Sequence, residues 1–507
     1  MAFFDLREFL VVLCLTLSYA VAGGLVYCLG LMQGTWISDL NITTNQASLI
    51  NSVTFAITLL PAPAIQAARD HFNIPPFIIF LLAAPLLSAG LYFTSVASTF
   101  NELMISNGIG FGLGILFSIT GSLTTVYHYF LDDKVTLATS IISSGIGVGM
   151  IAVSLTFKYL VPIIGWRQYC RYQLVCSSVY IFATIIFFPP LSRPLGIRTR
   201  KFKERQLKKI KRLQKKQRER QQLAEERQSL VNELDSGLVS RENSEPESFS
   251  TVTDDLAFVT RHPDSESSSP YESDLTDSVL QAHSSAITIT DSIRIKTGQL
   301  WRNILMNPPF LLLMTSWLLG EATFNAVMVH QPERVVKMGF SLQNGADTLA
   351  ISGGVQLFAR FGVGVLADRE IVSVVRLSQI SKLVLGIFSI LSNLFPSLAF
   401  QTLFMFLVGA CGGVLSTTDF ILVKDCVSEG RELGITVLLL VDGLFSLLSI
   451  AGAGLICTKF GSYNSVFYSL GTCSLIAFVL LIPLEIIMRT KKPKRREGYT
   501  SIGTDHN

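Results

Sequence analysis

The chain is expected to fold as an all-α membrane protein of twelve transmembrane helices in two six-helix halves. Three observations lead there. Of 507 residues, 49% are hydrophobic and only 15% charged, whereas a soluble domain carries about 25% charged residues; mean hydropathy is +0.47. The apolar residues are gathered into runs as long as the roughly 20 residues a helix needs to cross a hydrocarbon core. One long polar insert divides those runs into two equal sets.

In the first half the runs fall at roughly 9–32, 47–68, 75–97, 101–127, 135–161 and 170–190; in the second, at roughly 308–331, 344–367, 373–395, 397–422, 432–457 and 464–488. The first run is too long for a signal-peptide core and has no clear small-residue cleavage site after it, so it is read as span one. The chain then divides into an N-terminal half (1–190), a cytoplasmic loop (191–300), a C-terminal half (301–490) and a tail (491–507). The 8 cysteines are too sparse for a disulfide scaffold and lie mostly inside the runs, as small buried apolar residues do. A net charge of +4 is too mild to point to nucleic acid.

Orientation follows from the basic residues flanking the runs. Arg198, Arg200, Lys201, Lys203, Arg205, Lys208, Lys209, Lys211 and Arg212 open the insert, and Arg489, Lys491, Lys492, Lys494, Arg495 and Arg496 form the tail. Both clusters, and by span parity the N-terminus, are assigned to the cytoplasm. Lys158, Arg167 and Arg171 near the 5–6 connection run against this assignment and are outweighed by the two larger clusters. Asn41-Ile42-Thr43 is a glycosylation acceptor on the opposite face, close to the end of span one.

Within the insert, 198–228 reads as a basic, weakly amphipathic helix (Leu207, Ile210, Leu213, Leu223) drawn to anionic inner-leaflet lipid. Residues 229–285 are acidic and Ser-rich, a composition that cannot bury a core. Phosphates at sites such as Ser244 or Ser273 would alter its charge balance, or the segment is a plain linker.

Several motifs together resemble the major facilitator superfamily, and more narrowly its monocarboxylate-transporter family. Tyr129-Phe130, Leu137-Ala138, Ser144-Gly145-Ile146-Gly147-Val148-Gly149 and Gly165-Trp166-Arg167 resemble the family's fifth-span signature, with Asp132-Asp133-Lys134 replacing its usual basic pair. Asn307-Pro308-Pro309-Phe310 resembles the entry to the seventh span, and Phe358-Ala359-Arg360-Phe361-Gly362 with Leu366-Ala367-Asp368 resembles the eighth. Gly461-Ser462-Tyr463-Asn464 with Phe467-Tyr468 resembles the approach to the last span, and Ala68-Arg69-Asp70-His71-Phe72 is a degraded form of the superfamily's short cytoplasmic turn.

An ionisable group inside a span is costly and therefore a functional candidate. Arg360 lies about two-thirds along the eighth run, where the resemblance implies a guanidinium that grips a substrate carboxylate; the competing role is pairing with Asp368 near the cytoplasm. Gln356, four residues earlier on the same helix face, stands where the family commonly has a proton-coupling Asp. Glu321 in the seventh run and Asp442 in the eleventh are the proton-coupling candidates, because a carboxyl withdrawn from water takes up a proton more readily; either is equally a neutralising partner for Arg360 or a packing group. Asn325, one turn beyond Glu321, extends a polar pocket. Asp419, Arg69, Asp70 and Asp368 are read as gate or helix-end residues. The first run lacks the Lys that many family members use for substrate, and the eleventh lacks the family's Pro pair. Gly108, Gly110, Gly112, Gly114, Gly145 and Gly149 are read as close helix contacts and not as a dinucleotide loop, since no strand precedes them.

The resulting expectation is a carrier of monocarboxylates or related small organic solutes working by alternating access, proton-linked or facilitative, with its site near the midplane between the halves. The partners implied are a small organic anion or zwitterion, protons, anionic lipid and a single-span ancillary protein, in the plasma membrane. The competing readings are a proton-independent carrier of aromatic amino acids or other neutral or zwitterionic solutes, and a non-transporting sensor or scaffold. No constellation for hydrolysis, redox chemistry, metal or cofactor is present in the sequence, so no enzymatic activity is expected.

Overall fold

The computed structural model describes residues 6–72, 74–130, 132–187, 304–368, 372–427 and 431–491. The loop 198–228, the acidic segment, Ser244 and Ser273 lie outside the described residues, as does most of the tail. Each of the twelve expected runs falls on helix among the described residues.

Span one is two helices, Leu6–Tyr27 and Leu29–Leu40, meeting at Cys28, and span two is Thr44–Leu59 followed by Ala62–Phe72. Thr43 begins span two with a reciprocal cap: its hydroxyl accepts from the Gln46 amide and the Gln46 side chain accepts from the Thr43 amide, satisfying two donors that a helix start leaves open. Span three is Pro76–Val96, with proline at its first turn where no amide is needed. Span four runs from Phe100–Leu103 through a π-helical stretch, Met104–Phe111, into Gly112–Tyr129.

Asp132–Tyr172 carries span five and the start of span six, and Gln173–Cys176 and Ser177–Phe187 complete the sixth. The break between them is Gly165, at φ 75° and ψ 160°, a backbone setting that a side chain would oppose. Gly461, at φ 66°, makes the equivalent reversal between spans eleven and twelve. Both are the glycines of motifs singled out in the sequence. The second half comprises Pro308–Lys337, Leu342–Asp368, Val374–Leu391, Leu398–Cys426, Arg431–Phe460 and Tyr463–Lys491.

Among the described residues, ten stretches are long and apolar enough to cross a membrane. The difference from twelve has a simple origin. Ala138–Phe187 joins spans five and six into one stretch, and the polar eighth span is not among the ten. The eighth carries Asp347, Gln356, Arg360 and Asp368.

The halves meet through small residues. Gly147 of span five lies so close to Gly353 and Leu357 of span eight that a Cβ would overlap them, and Gly454 of span eleven lies against Ser48 of span two. Within the N-terminal half, Gly145 and Gly149 press on the backbone of Thr16 and Ala20 in span one, as the glycine reading expected. The end of the bundle holding the 1–2 and 7–8 connections is also tied across the halves by polar contacts. Lys158 pairs with Asp347 at 2.7 Å, and Glu333 accepts from Gln33 at 2.7 Å and from Thr44 at 3.3 Å.

Arg167 pairs with Asp39, which also accepts from the Trp166 indole at 3.2 Å, and reaches the Ala97 carbonyl at 3.1 Å. Lys158 and Arg167, two of the three residues that ran against the charge bias, are thus each matched by a carboxylate, while Arg171 donates to Ser95 at 3.2 Å. The cysteines are free thiols, six of them buried.

Candidate functional site

Span eight brings Arg360 to the boundary between the halves. Its guanidinium is 3% exposed and donates from Nε at 3.2 Å and Nη2 at 3.1 Å to the same Gln356 oxygen. The i, i+4 spacing on one helix makes that contact automatic. Among the described residues, no carboxylate stands within the 4.0 Å that defines an ion pair with Arg360. A buried cation normally has such a partner. The other end of the same amide, Gln356 Nε2, is buried with no hydrogen-bond partner among the described residues.

Span seven presents Glu321 and, one turn on, Asn325; both are buried. Asn325 donates to Ser446 of span eleven at 3.0 Å, and Ser446 donates to Asp442 at 3.4 Å, forming a short polar chain between spans seven and eleven. The Asn325 carbonyl oxygen has no hydrogen-bond partner among the described residues. Arg360 lies within electrostatic range of Glu321, Tyr27 and Tyr19, and Glu321 within range of Asp442, Asp419, Arg360 and Lys382. Span one therefore faces this cluster with tyrosines where no lysine is available. The Tyr27 ring packs edge-on against Phe324 of span seven at 5.6 Å and Phe55 of span two at 5.9 Å, so aromatic contacts from both halves bound the polar cluster.

Depth along the helices groups these residues. Arg360 is eight residues before Asp368, about 12 Å; Asp442 is eleven residues into span eleven, about 17 Å; Glu321 is thirteen into span seven, about 20 Å. Alternating helix direction puts all three reference ends on one side of the bundle.

Asp419, expected at a gate or helix end, lies seven residues inside span ten in an ion pair with Lys382 of span nine at 3.3 Å, with side chains 1% and 0% exposed. Arg69 is buried, with Nε donating to the Ile74 carbonyl at 3.3 Å. The side chains of Asp70 and Asp368 lie outside the described ones. Asn41 is exposed, in a left-handed conformation at φ 50° that closes span one.

Three buried ionic residues escaped the sequence reading. Lys382 sits in the middle of the ninth run, where the rule applied to the other ionisable groups would have flagged it. Arg334 and Glu333 lie on span seven beyond its expected end at 331, because the helix continues to Lys337. Arg334 is 1% exposed, donates to Ser392 and Asn393, and lies 3.9 Å over the Phe467 ring. A separate small void inside the N-terminal half, between Cys28, Leu91, Asn107, Phe111 and Tyr169, touches none of the site residues.

Comparison with known proteins agrees with this architecture. The family profile described as Major Facilitator Superfamily matches residues 15–391. Among curated proteins, the chain is 26% identical over 157 residues to monocarboxylate transporter 6 of Mus musculus, covering 31% of this chain and 33% of that protein. It is 24% identical over 175 residues to monocarboxylate transporter 7 of Homo sapiens, covering 34% and 32%. The chain thus matches about a third of the length of these curated relatives. Its fold is similar to the crystal structure of a D-xylose-proton symporter, with a TM-score of 0.61 at 11% identity over 94% of this chain and 97% of that one. The family profile spans most of the chain and the fold agrees over 94% of its length: this protein is a multi-pass membrane protein belonging to the Major Facilitator Superfamily.

Proposed function

We propose that this protein carries monocarboxylates or closely related small organic solutes across the plasma membrane by alternating access, with Arg360 as the group that receives the substrate carboxylate. The observation that carries the proposal is the setting of Arg360: a buried guanidinium whose hydrogen-bond partner is a neutral amide, with no carboxylate at ion-pair distance among the described residues. A carboxylate entering there would gain charge-assisted, two-point hydrogen bonding. Gln356 Nε2 and the Asn325 carbonyl oxygen supply further polar contacts, and Tyr27 and Phe324 an aromatic wall.

Gln356 cannot titrate, so proton linkage runs through Glu321 or Asp442, the two buried carboxyls near Arg360. A second reading, a zwitterionic or neutral solute moved without a proton, is favoured by those same carboxyls, which would face an ammonium group. The termini are cytoplasmic in this account, the loop helix 198–228 rests on anionic lipid, and a single-span ancillary protein accompanies the carrier.

The test is uptake of a radiolabelled monocarboxylate panel into vesicles, with and without an imposed inward proton gradient. Gradient-stimulated, saturable uptake supports the proton-linked carrier. Gradient-independent uptake of amino acids in preference to monocarboxylates supports the second reading. No saturable uptake of either class overturns both.

A further inference from the structure

Among the described residues, the Lys382–Asp419 pair is the most deeply buried ionic contact outside the site. Lys382 is eight residues into span nine and Asp419 seven from the end of span ten, about 12 and 11 Å from the helix ends and so inside the hydrocarbon depth. Lys382 Nζ donates to Ser378 Oγ at 3.0 Å and to Asp419 at 3.3 Å, while Ser378 Oγ donates to Asp419 at 2.8 Å. The Ser474 hydroxyl of span twelve donates to the Lys382 carbonyl at 2.7 Å. Packing alone does not call for such a pair, because well-fitted apolar residues in its place are often as stable or more so.

The route of the lysine stem indicates a different use. A Cβ placed on Gly320 would lie 2.9 Å from Lys382 Cε, so the stem crosses span seven at the one residue with no side chain. The next residue is Glu321. Both charges of the pair lie within electrostatic range of that carboxyl, together with Arg360, Asp442 and, through Arg360 and Glu321, Tyr27.

We propose that Lys382 and Asp419 are a positioning pair for the substrate site: seated against Gly320, they fix the face of span seven that bears Glu321, and their balanced charges set the electrostatic potential that an entering anion meets. The assignment rests on the reading of Arg360 and Glu321 as the substrate site.

The two single substitutions unbalance the pair in opposite directions. Lys382→Met leaves a negative charge about one helix separation from the site, and Asp419→Asn leaves a positive one. At an effective permittivity near 20, a unit charge across roughly 10 Å changes anion affinity by about three- to tenfold once partial screening is allowed for. The expected result is a KM for a labelled monocarboxylate raised about three- to tenfold in Lys382→Met and lowered by a similar factor in Asp419→Asn. The double variant returns to within about twofold of the parent. A purely structural pair would instead lower surface abundance in both single variants and move KM in neither, or in the same direction in both, and either outcome overturns the proposal.

A second readout needs no transport. In full-length protein carrying Glu321→Cys in a background with the native cysteines replaced, the rates of modification by an anionic and a cationic methanethiosulfonate reagent are compared. The anionic-to-cationic ratio is expected to fall when Lys382→Met is added and rise when Asp419→Asn is added; an unchanged ratio overturns the proposal. If the parent protein takes up none of the panel, this ratio alone decides the role of the pair, and the carrier reading is what has failed.

Discussion

Glu333→Ala is expected to loosen the end of the bundle where the halves meet through Gln33. The Glu333 side chain is 5% exposed and accepts from Gln33 Nε2 at 2.7 Å and Thr44 Oγ1 at 3.3 Å, with Lys337 Nζ at 3.6 Å. Asn51 donates to the other end of the Gln33 amide at 2.9 Å, so Gln33 is held from both sides. Removing the carboxylate leaves the buried Gln33 donor with only a long, 3.4 Å contact to Ser48. Losing a charged acceptor at a buried donor costs about 1.5–3 kcal/mol. Because the contact joins the two halves, that cost falls on the closed arrangement of this end and not on either half alone. At about 2 kcal/mol the balance between closed and open shifts roughly 30-fold.

Cys457 reports the shift, since this native thiol is 4% exposed and lies within electrostatic range of Glu333 and Lys337. Its labelling by a maleimide in detergent-solubilised protein is expected to accelerate about 10- to 30-fold in Glu333→Ala. Glu333→Gln retains an acceptor for Gln33 and is expected to change the rate less than about threefold. Cys457→Ala removes the signal and identifies the site. Labelling of Glu333→Ala within twofold of the parent, with unchanged thermal stability, would refute the reasoning.

Three further substitutions probe the rest of the account. Arg360→Met removes the charge proposed to meet the substrate; a unit charge at about 4 Å and an effective permittivity of 20 is worth about 4 kcal/mol, roughly a thousandfold in affinity, so saturable anion uptake normalised to surface abundance should vanish. Gly149→Val drives a side chain into the Ala20 backbone and should cost about 1–3 kcal/mol or more, read as a lowered Tm of the purified protein; an unchanged Tm would contradict the close contact of spans one and five. Arg167→Ala leaves Asp39 with the Trp166 indole alone and breaks the contact to Ala97, yet Arg167 and Asp39 are 38% and 43% exposed, so Tm should fall only slightly, about 1 kcal/mol or less in stability.

The sequence made the helices legible because each run is bounded by residues with a local physical role. Gly165 and Gly461 act on their own neighbours and lie in motifs the linear reading singled out; Thr43 and Pro76 act as locally at helix starts, though the sequence reading did not name them for it. The Arg360–Gln356 contact was readable for the same reason, as it lies within one helix turn. What stayed hidden depends on partners far away in the chain. The partner of Asp419, Lys382, sits 37 positions earlier on another helix. Arg334 draws on Ser392 and Asn393, 58 and 59 positions away, and Glu333 on Gln33, 300 away and in the other half. No periodicity encodes those meetings. The extension of span seven to Lys337 was missed because Glu333, Arg334 and Lys337 end the apolar run before they end the helix.

The most direct test of the central claim is uptake of a labelled monocarboxylate by proteoliposomes containing this protein alone. The account predicts saturable uptake, competed by excess unlabelled substrate and absent when Arg360→Met protein is reconstituted at the same density. Uptake indistinguishable from protein-free liposomes, or equal uptake by the parent and Arg360→Met proteins, would contradict it.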